Sequence, residues 1–281
     1  MTDVTVLSDI PCTLGESALW DGSRFYWVDI LERRIYAMSW PAGPVLTLAV
    51  PDLVGSVALR AGGGLVAALR DAIAFCDVDT GKVEVVRAID TAPGTRLNDG
   101  AVDQSGAFWF GSMHMAEQEP LGVFYRLDGS LTVLRAFGGI VCSNGPAWSP
   151  DGSTMYHVDS TVRQIRAYPV SPSGWVGAGS VFVSDEDHPW FPDGVTVDAD
   201  GFVWNCKFGG GRIVRYAPDG TVDRVVTVPV SKPTRCAFVG PDLDLLAVTS
   251  ARVGGDPAPL AGQTLLLDPG ARGLPTPRFA G

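Results

Sequence analysis

NDGAVDQSGAFWFGSM (98–113), NGPAWSPDGSTMYHVDS (144–160) and DGVTVDADGFVWNCK (193–207) are one pattern written three times. Each opens on Asn98, Asn144 or Asp193, runs through a short apolar stretch into a turn, and returns as an aromatic-rich strand. The turn glycine stands eight positions on in all three, at Gly106, Gly152 and Gly201. ESALWDG (16–22) is the same unit with a shorter turn, so Trp20 falls where Trp148 falls and Glu16 heads the series. Counted outward, the second strands of the pattern fall at 25–30, 65–70, 108–113, 155–160, 202–207 and 245–250, followed by weaker strands such as RRIYAM and GVFYRLDG. A period of roughly forty-odd residues is that of four-stranded propeller blades. Apolar residues do not persist at helical spacing beyond a turn or two. With 34 Gly and 21 Pro among 281 residues, the chain suits hairpins. The expectation is all-β: a six-bladed β-propeller filling residues 1–281 as a single domain. The alternating segment DVTVLSD should complete the last blade by pairing near Gln263 to Asp268, removing an exposed sheet edge.

Composition narrows the partners. A net charge of −10 and the lack of a basic stripe argue against nucleic acid, which needs clustered Lys and Arg. No apolar run approaches the roughly 20 residues of a membrane span. The first residues have neither a cationic nor an apolar leader region, so a cytoplasmic location is expected. Cys12, Cys76, Cys142, Cys206 and Cys236 are odd in number and widely spaced, which reads as reduced, buried thiols.

In a propeller the first strand of each blade lines the central channel, so Glu16, Asn98, Asn144 and Asp193 should converge from distant parts of the chain. Gathered hard oxygen donors suit a divalent cation. Two carboxylates and an amide oxygen leave coordination positions open, the mark of a catalytic metal. An Asn or Asp before Gly also serves as a plain turn former. Glu16 in LGES has no such role, and turn chemistry alone does not explain recurrence in register.

LGES-x-x-W, RLNDGAVDQSGAFWFGSM, SNGPAWSPDGSTMYHVDS and PDGVTVDADGFVWNCKFGGGRIVRYAPDG together resemble the regucalcin/gluconolactonase family, from about Leu14 to Ser250. The resemblance implies a central divalent metal held by Glu16, Asn144 and Asp193, and substrate contacts from Arg96 and Asn98. It also implies an acidic substrate contact after the third-blade strand, in GSMHMAEQEP, where Glu117 is preferred to Glu119. That stretch is most similar to the bacterial pentonolactonase branch. The implied activity is hydrolysis of a small sugar lactone, a pentono- or gluconolactone. Calcium, zinc, iron(II), manganese and magnesium all accept this ligand set.

A lactone is a cyclic ester, whose opening needs an activated water and a stabilised oxyanion. A divalent metal serves both needs, and a ligand carboxylate can take the proton. Asp193 is the candidate catalytic base. Arg96 presents a fixed fork of donors suited to a polyol, and Asn98 is a substrate-hydroxyl contact or a support to the ligands. His114, at the end of its strand, is a candidate substrate contact at the channel mouth. Asp29 and Asp159 end second strands as acceptors orienting the ligands, or as simple strand-end caps. Trp190 and Phe191 would wall the site, and Thr234 would line it in the last blade. No G-x-S-x-G elbow accompanies His114, His157 and His188, which argues against a serine hydrolase. A non-catalytic calcium-binding propeller and a phosphotriesterase-like hydrolase are the competing readings.

Overall fold

Side-chain alternation in the second strands decides the packing. In the strand Arg24–Asp29, Phe25 and Trp27 join an apolar cluster against the last blade, while Tyr26 and Val28 join another against the second. Both faces of the sheet are thus buried, and near-continuous apolar runs replace clean alternation. The computed structural model describes residues 3–281, and it is an all-β six-bladed propeller with no helix among the described residues. Each blade is a four-stranded antiparallel sheet. Six apolar clusters fill the six interfaces between neighbouring blades.

The innermost strands are Gly15–Trp20, Val54–Leu59, Thr95–Val102, Ser143–Trp148, Phe191–Val197 and Pro233–Val239. The N-terminal strand Val4–Ser8 pairs with Thr264–Leu267, placing Val4 opposite Leu267, and so closes the last blade as expected.

All six innermost strands break register with their neighbours at the same level. Such a bulge adds a residue to one strand and re-aims the side chains beside it. The breaks fall just after Glu16, at Asn98 and Asp99, just after Asn144, and at Asp193 and Gly194. In the first blade the bulge holds Ser17 at a φ of 56°. The second blade has Gly55 at this level, and a Cβ there would meet the Asn98 carbonyl oxygen at 2.5 Å.

Beyond residue 268 the chain crosses the face where the innermost strands end. Arg272 accepts from the Ala199 N–H at 2.8 Å, Gly273 donates to Leu243, Phe279 donates to Leu59, and Ala280 donates to Gly106. This tail touches turns of blades five, six, two and three. Its Phe279 ring is fully buried in the cluster between blades two and three.

Candidate active site

Four buried polar side chains reach the channel from blades one, three, four and five: Glu16, Asn98, Asn144 and Asp193, each no more than 7% exposed. Asn98 donates to the Asn144 side-chain oxygen at 3.1 Å and to the Ser143 carbonyl at 2.7 Å. Asn144 donates its own NH2 to the Ser160 hydroxyl at 2.8 Å. Held from both ends, the Asn144 amide turns its oxygen toward the Asn98 side, with a lone pair to spare. Arg96 donates to the Asn98 side-chain oxygen at 2.6 Å and to the Leu97 carbonyl.

Two clamps hold the segments that carry Glu16 and Asn144. The Asp29 carboxylate accepts from the N–H groups of Thr13 and Leu14, and Asp159 accepts from Val141 and Cys142. These are matching positions in blades one and four, each fixing the chain just ahead of Glu16 or Asn144. The fifth blade reverses the polarity. There Lys207, fully buried, pairs with Asp185 on the segment leading to Asp193. Asn205 adds hydrogen bonds to the backbone carbonyls of Asp193 and Gly194. Sequence reasoning singled out Asp29 and Asp159 but passed over Ser160, Asp185, Lys207 and Asn205.

The ring gathers carboxylates in a buried setting. Burial pushes Glu16 up to about 8, with the nearby Asp99 charge adding to the effect. Burial likewise holds Asp193 well above the usual carboxylate range, and the charges of Glu16 and Asp99 raise it further. Buried like charges repel unless a positive partner lies among them. Among the described residues no group of three or more His, Cys, Asp and Glu side chains forms a metal cluster. A cation here would rest on two carboxylates and one amide oxygen, a hard donor set that fits a divalent ion.

The outer residues divide. Glu117 lies on the exposed loop after the third blade's second strand, and its charge is felt at Arg96, Cys142 and Asp193. The Glu119 N–H donates to the His114 ring at 3.0 Å. His114 is half-buried at the end of its strand. Trp190 stacks on His188 at 4.1 Å and carries the Arg212 guanidinium, while Phe191 carries that of Arg163. Thr234 is fully buried and donates to the Gly15 carbonyl, stitching the last blade to the first. Ser143 and His157 lie 2.9 Å apart, but both are buried, the other His157 ring nitrogen has no partner, and burial depresses the imidazole to about 3. That pair is packing, not a triad.

Two charged residues at the ring's next level were missed. Asp99 and Arg235 form a buried ion pair, with Asp99 also accepting from the Gly145 N–H at 2.9 Å. Beyond them lies a cavity of about 340 Å³ lined by later residues of the innermost strands, among them Trp20, Trp148 and Phe238, and by the tail at Leu274 and Pro275. It opens at the opposite end of the channel from Asn98, Asn144 and Asp193.

A family model described as the SMP-30/Gluconolactonase/LRE-like region matches residues 14–252. The chain is 38% identical to the L-arabinolactonase of Azospirillum brasilense, covering 99% of this chain and 95% of that protein. It is 33% identical to the 6-deoxy-6-sulfogluconolactonase of Pseudomonas putida, with 96% of each chain covered. Among solved structures, a calcium-binding protein, regucalcin, from Agrobacterium tumefaciens superposes with a TM-score of 0.93 at 30% identity, covering 99% of this chain and 97% of that one.

Proposed function

The chain belongs to the SMP-30/gluconolactonase/LRE-like family, and from that premise we propose that it acts, as one propeller domain, as a divalent-metal-dependent hydrolase opening a sugar lactone to the aldonic acid. The observation that carries the proposal is the buried ring of Glu16, Asn144 and Asp193 with Arg96 and Asn98 hydrogen-bonded into it. Glu16, Asn144 and Asp193 would hold the ion. When bound there, a divalent ion supplies carbonyl polarisation and a lowered water pKa.

The chain's own residues do the rest. Water adds to the lactone carbonyl carbon, the ring C–O bond breaks, and the ring oxygen leaves as a hydroxyl. Asp193 takes the proton from the attacking water and returns it to the leaving oxygen. Burial and the charges of Glu16 and Asp99 raise its proton affinity, and a cation beside it would lower that affinity again, leaving Asp193 ionised and free to accept a proton. Arg96 is fixed by Asn98 with its guanidinium near Glu117, Glu16 and Asp193, where it can bind substrate oxygens in an orientation set in advance. Glu117, on its loop, would accept from substrate hydroxyls.

A calcium-binding regulatory role is the second reading, favoured by the likeness to the calcium-binding protein regucalcin. Arg96 and Asn98 weigh against it, because an ion buffer has no use for a buried guanidinium poised beside its ligands. A panel of pentono- and hexonolactones assayed by acid release, with ions added singly to metal-stripped protein, tests the proposal. Ion-dependent acid release on at least one sugar lactone is expected. Ion binding with no turnover on any of them would favour the regulatory reading.

A further inference from the structure

The register break shared by the innermost strands creates a second layer of the channel, one residue beyond the candidate ligands. Its members are Ser17, Ser56, Asp99, Gly145, Gly194 and Arg235. Only Asp99 and Arg235 are charged. They come from blades three and six, which stand opposite each other in a ring of six, so their ion pair spans the channel. Space has been made for it. A Cβ on Gly194 would lie 2.7 Å from the Arg235 Cβ, and Gly145, which has no side chain, donates its N–H to Asp99. Asp99 also accepts from the Gly100 N–H at 2.8 Å.

The neighbourhood gives this pair a task. Asp99 is 1% exposed, and its hydrogen bond from the Gly145 N–H sets it one residue from the candidate ligand Asn144. A third carboxylate therefore stands within electrostatic reach of the two candidate ligands. With Arg235 paired to Asp99, and Arg96 offset by Glu117, the charge left for a divalent ion to meet is that of Glu16 and Asp193. We propose that Arg235 is a positioning residue that ties Asp99 back across the channel, keeping it out of the ion's coordination and holding the site's charge in balance. The inference rests on the reading of Glu16, Asn144 and Asp193 as the ion site. In consequence the ion binds less tightly than the local carboxylates would allow, and keeps open positions for substrate.

The test is calorimetric titration of Ca2+ and, separately, Zn2+ into metal-stripped protein, with no lactone present. Arg235→Met should bind ion more tightly by about tenfold or more, since a full charge is removed from a buried site. Asp99→Asn/Arg235→Met should return close to wild type, and Arg235→Lys should stay close to it. Asp99→Asn alone should bind ion more weakly, because Arg235 is then uncompensated; it serves as the independent arm if Arg235→Met does not fold. A merely structural role predicts the opposite sign for Arg235→Met. Equal or weaker binding in Arg235→Met, a gain that survives in the double variant, or unweakened binding in Asp99→Asn would each overturn the inference. Failure of the wild type to bind either ion would instead overturn the ion site, and this inference with it.

Discussion

At the scale of single residues, Asp193 and Glu16 carry the proposed chemistry. Asp193→Asn keeps an oxygen donor but cannot take a proton near neutral pH. With metal content verified, kcat should fall by about two to four powers of ten, the usual contribution of a general base; near wild-type turnover would remove Asp193 from that role. Glu16 carries a pH signature. Its pKa in the ion-free protein is raised from 4.5 to about 8, so the folded state favours the protonated acid. The associated stability is fully present below the ordinary glutamate value and is lost as pH rises through about 8, with Asp193 acting in the same direction. Ion-free protein should therefore melt lower at about pH 9 than at about pH 6, and added ion should narrow the gap. Ion binding should also release protons below about pH 8, seen as buffer-dependent calorimetric heats. An equal Tm at both values, with no buffer dependence, would show that Glu16 is not strained by burial. Glu16, Asn144 and Asp193 were legible because they recur in register through a visible repeat. Arg235 was not: its partner lies 136 residues away, and only the closure of the ring brings them together. Asp99, in the sequence Asn98-Asp99-Gly100, looks like an ordinary turn residue.

At the scale of elements, the strands could be read from alternation and turn glycines, but the shared bulge could not. A bulge has no composition of its own, and here it occurs with Ser17, Asp99 and Gly145 alike. The clamps behind the innermost strands were legible in part. Asp29 and Asp159 end their strands in view, whereas Lys207 hides in an apolar-looking strand and meets Asp185 only in three dimensions. Lys207→Ala leaves Asp185 buried and uncompensated, and should destabilise the fold by about 3–5 kcal/mol. Asp29→Ala orphans two backbone N–H groups that are less deeply buried, and should cost about 1–3 kcal/mol. Urea unfolding of both variants checks the order; a Lys207→Ala protein as stable as wild type would mean that the ion pair contributes little.

At the scale of the whole molecule, the six-blade count and the closing N-terminal strand followed from the repeat period and edge protection. The C-terminal crossing did not, because TPRFAG has neither strand alternation nor a repeat partner. Phe279 nonetheless fills the interface of blades two and three, and Phe279→Ala should cost about 3–5 kcal/mol by unfolding titration, against almost nothing if the tail merely rests on the surface. The six buried interfaces should let the ring stand without an ion. The central claim is that a divalent ion held by Glu16, Asn144 and Asp193 is needed for lactone hydrolysis and not for the fold. Its most direct test is the rate of acid release from a sugar lactone by metal-stripped protein, before and after one ion is added back, with circular dichroism recorded alongside. An unchanged β spectrum, loss of the enzymatic rate on stripping and its recovery on addition are expected. Full activity in protein verified as metal-free would contradict the central claim.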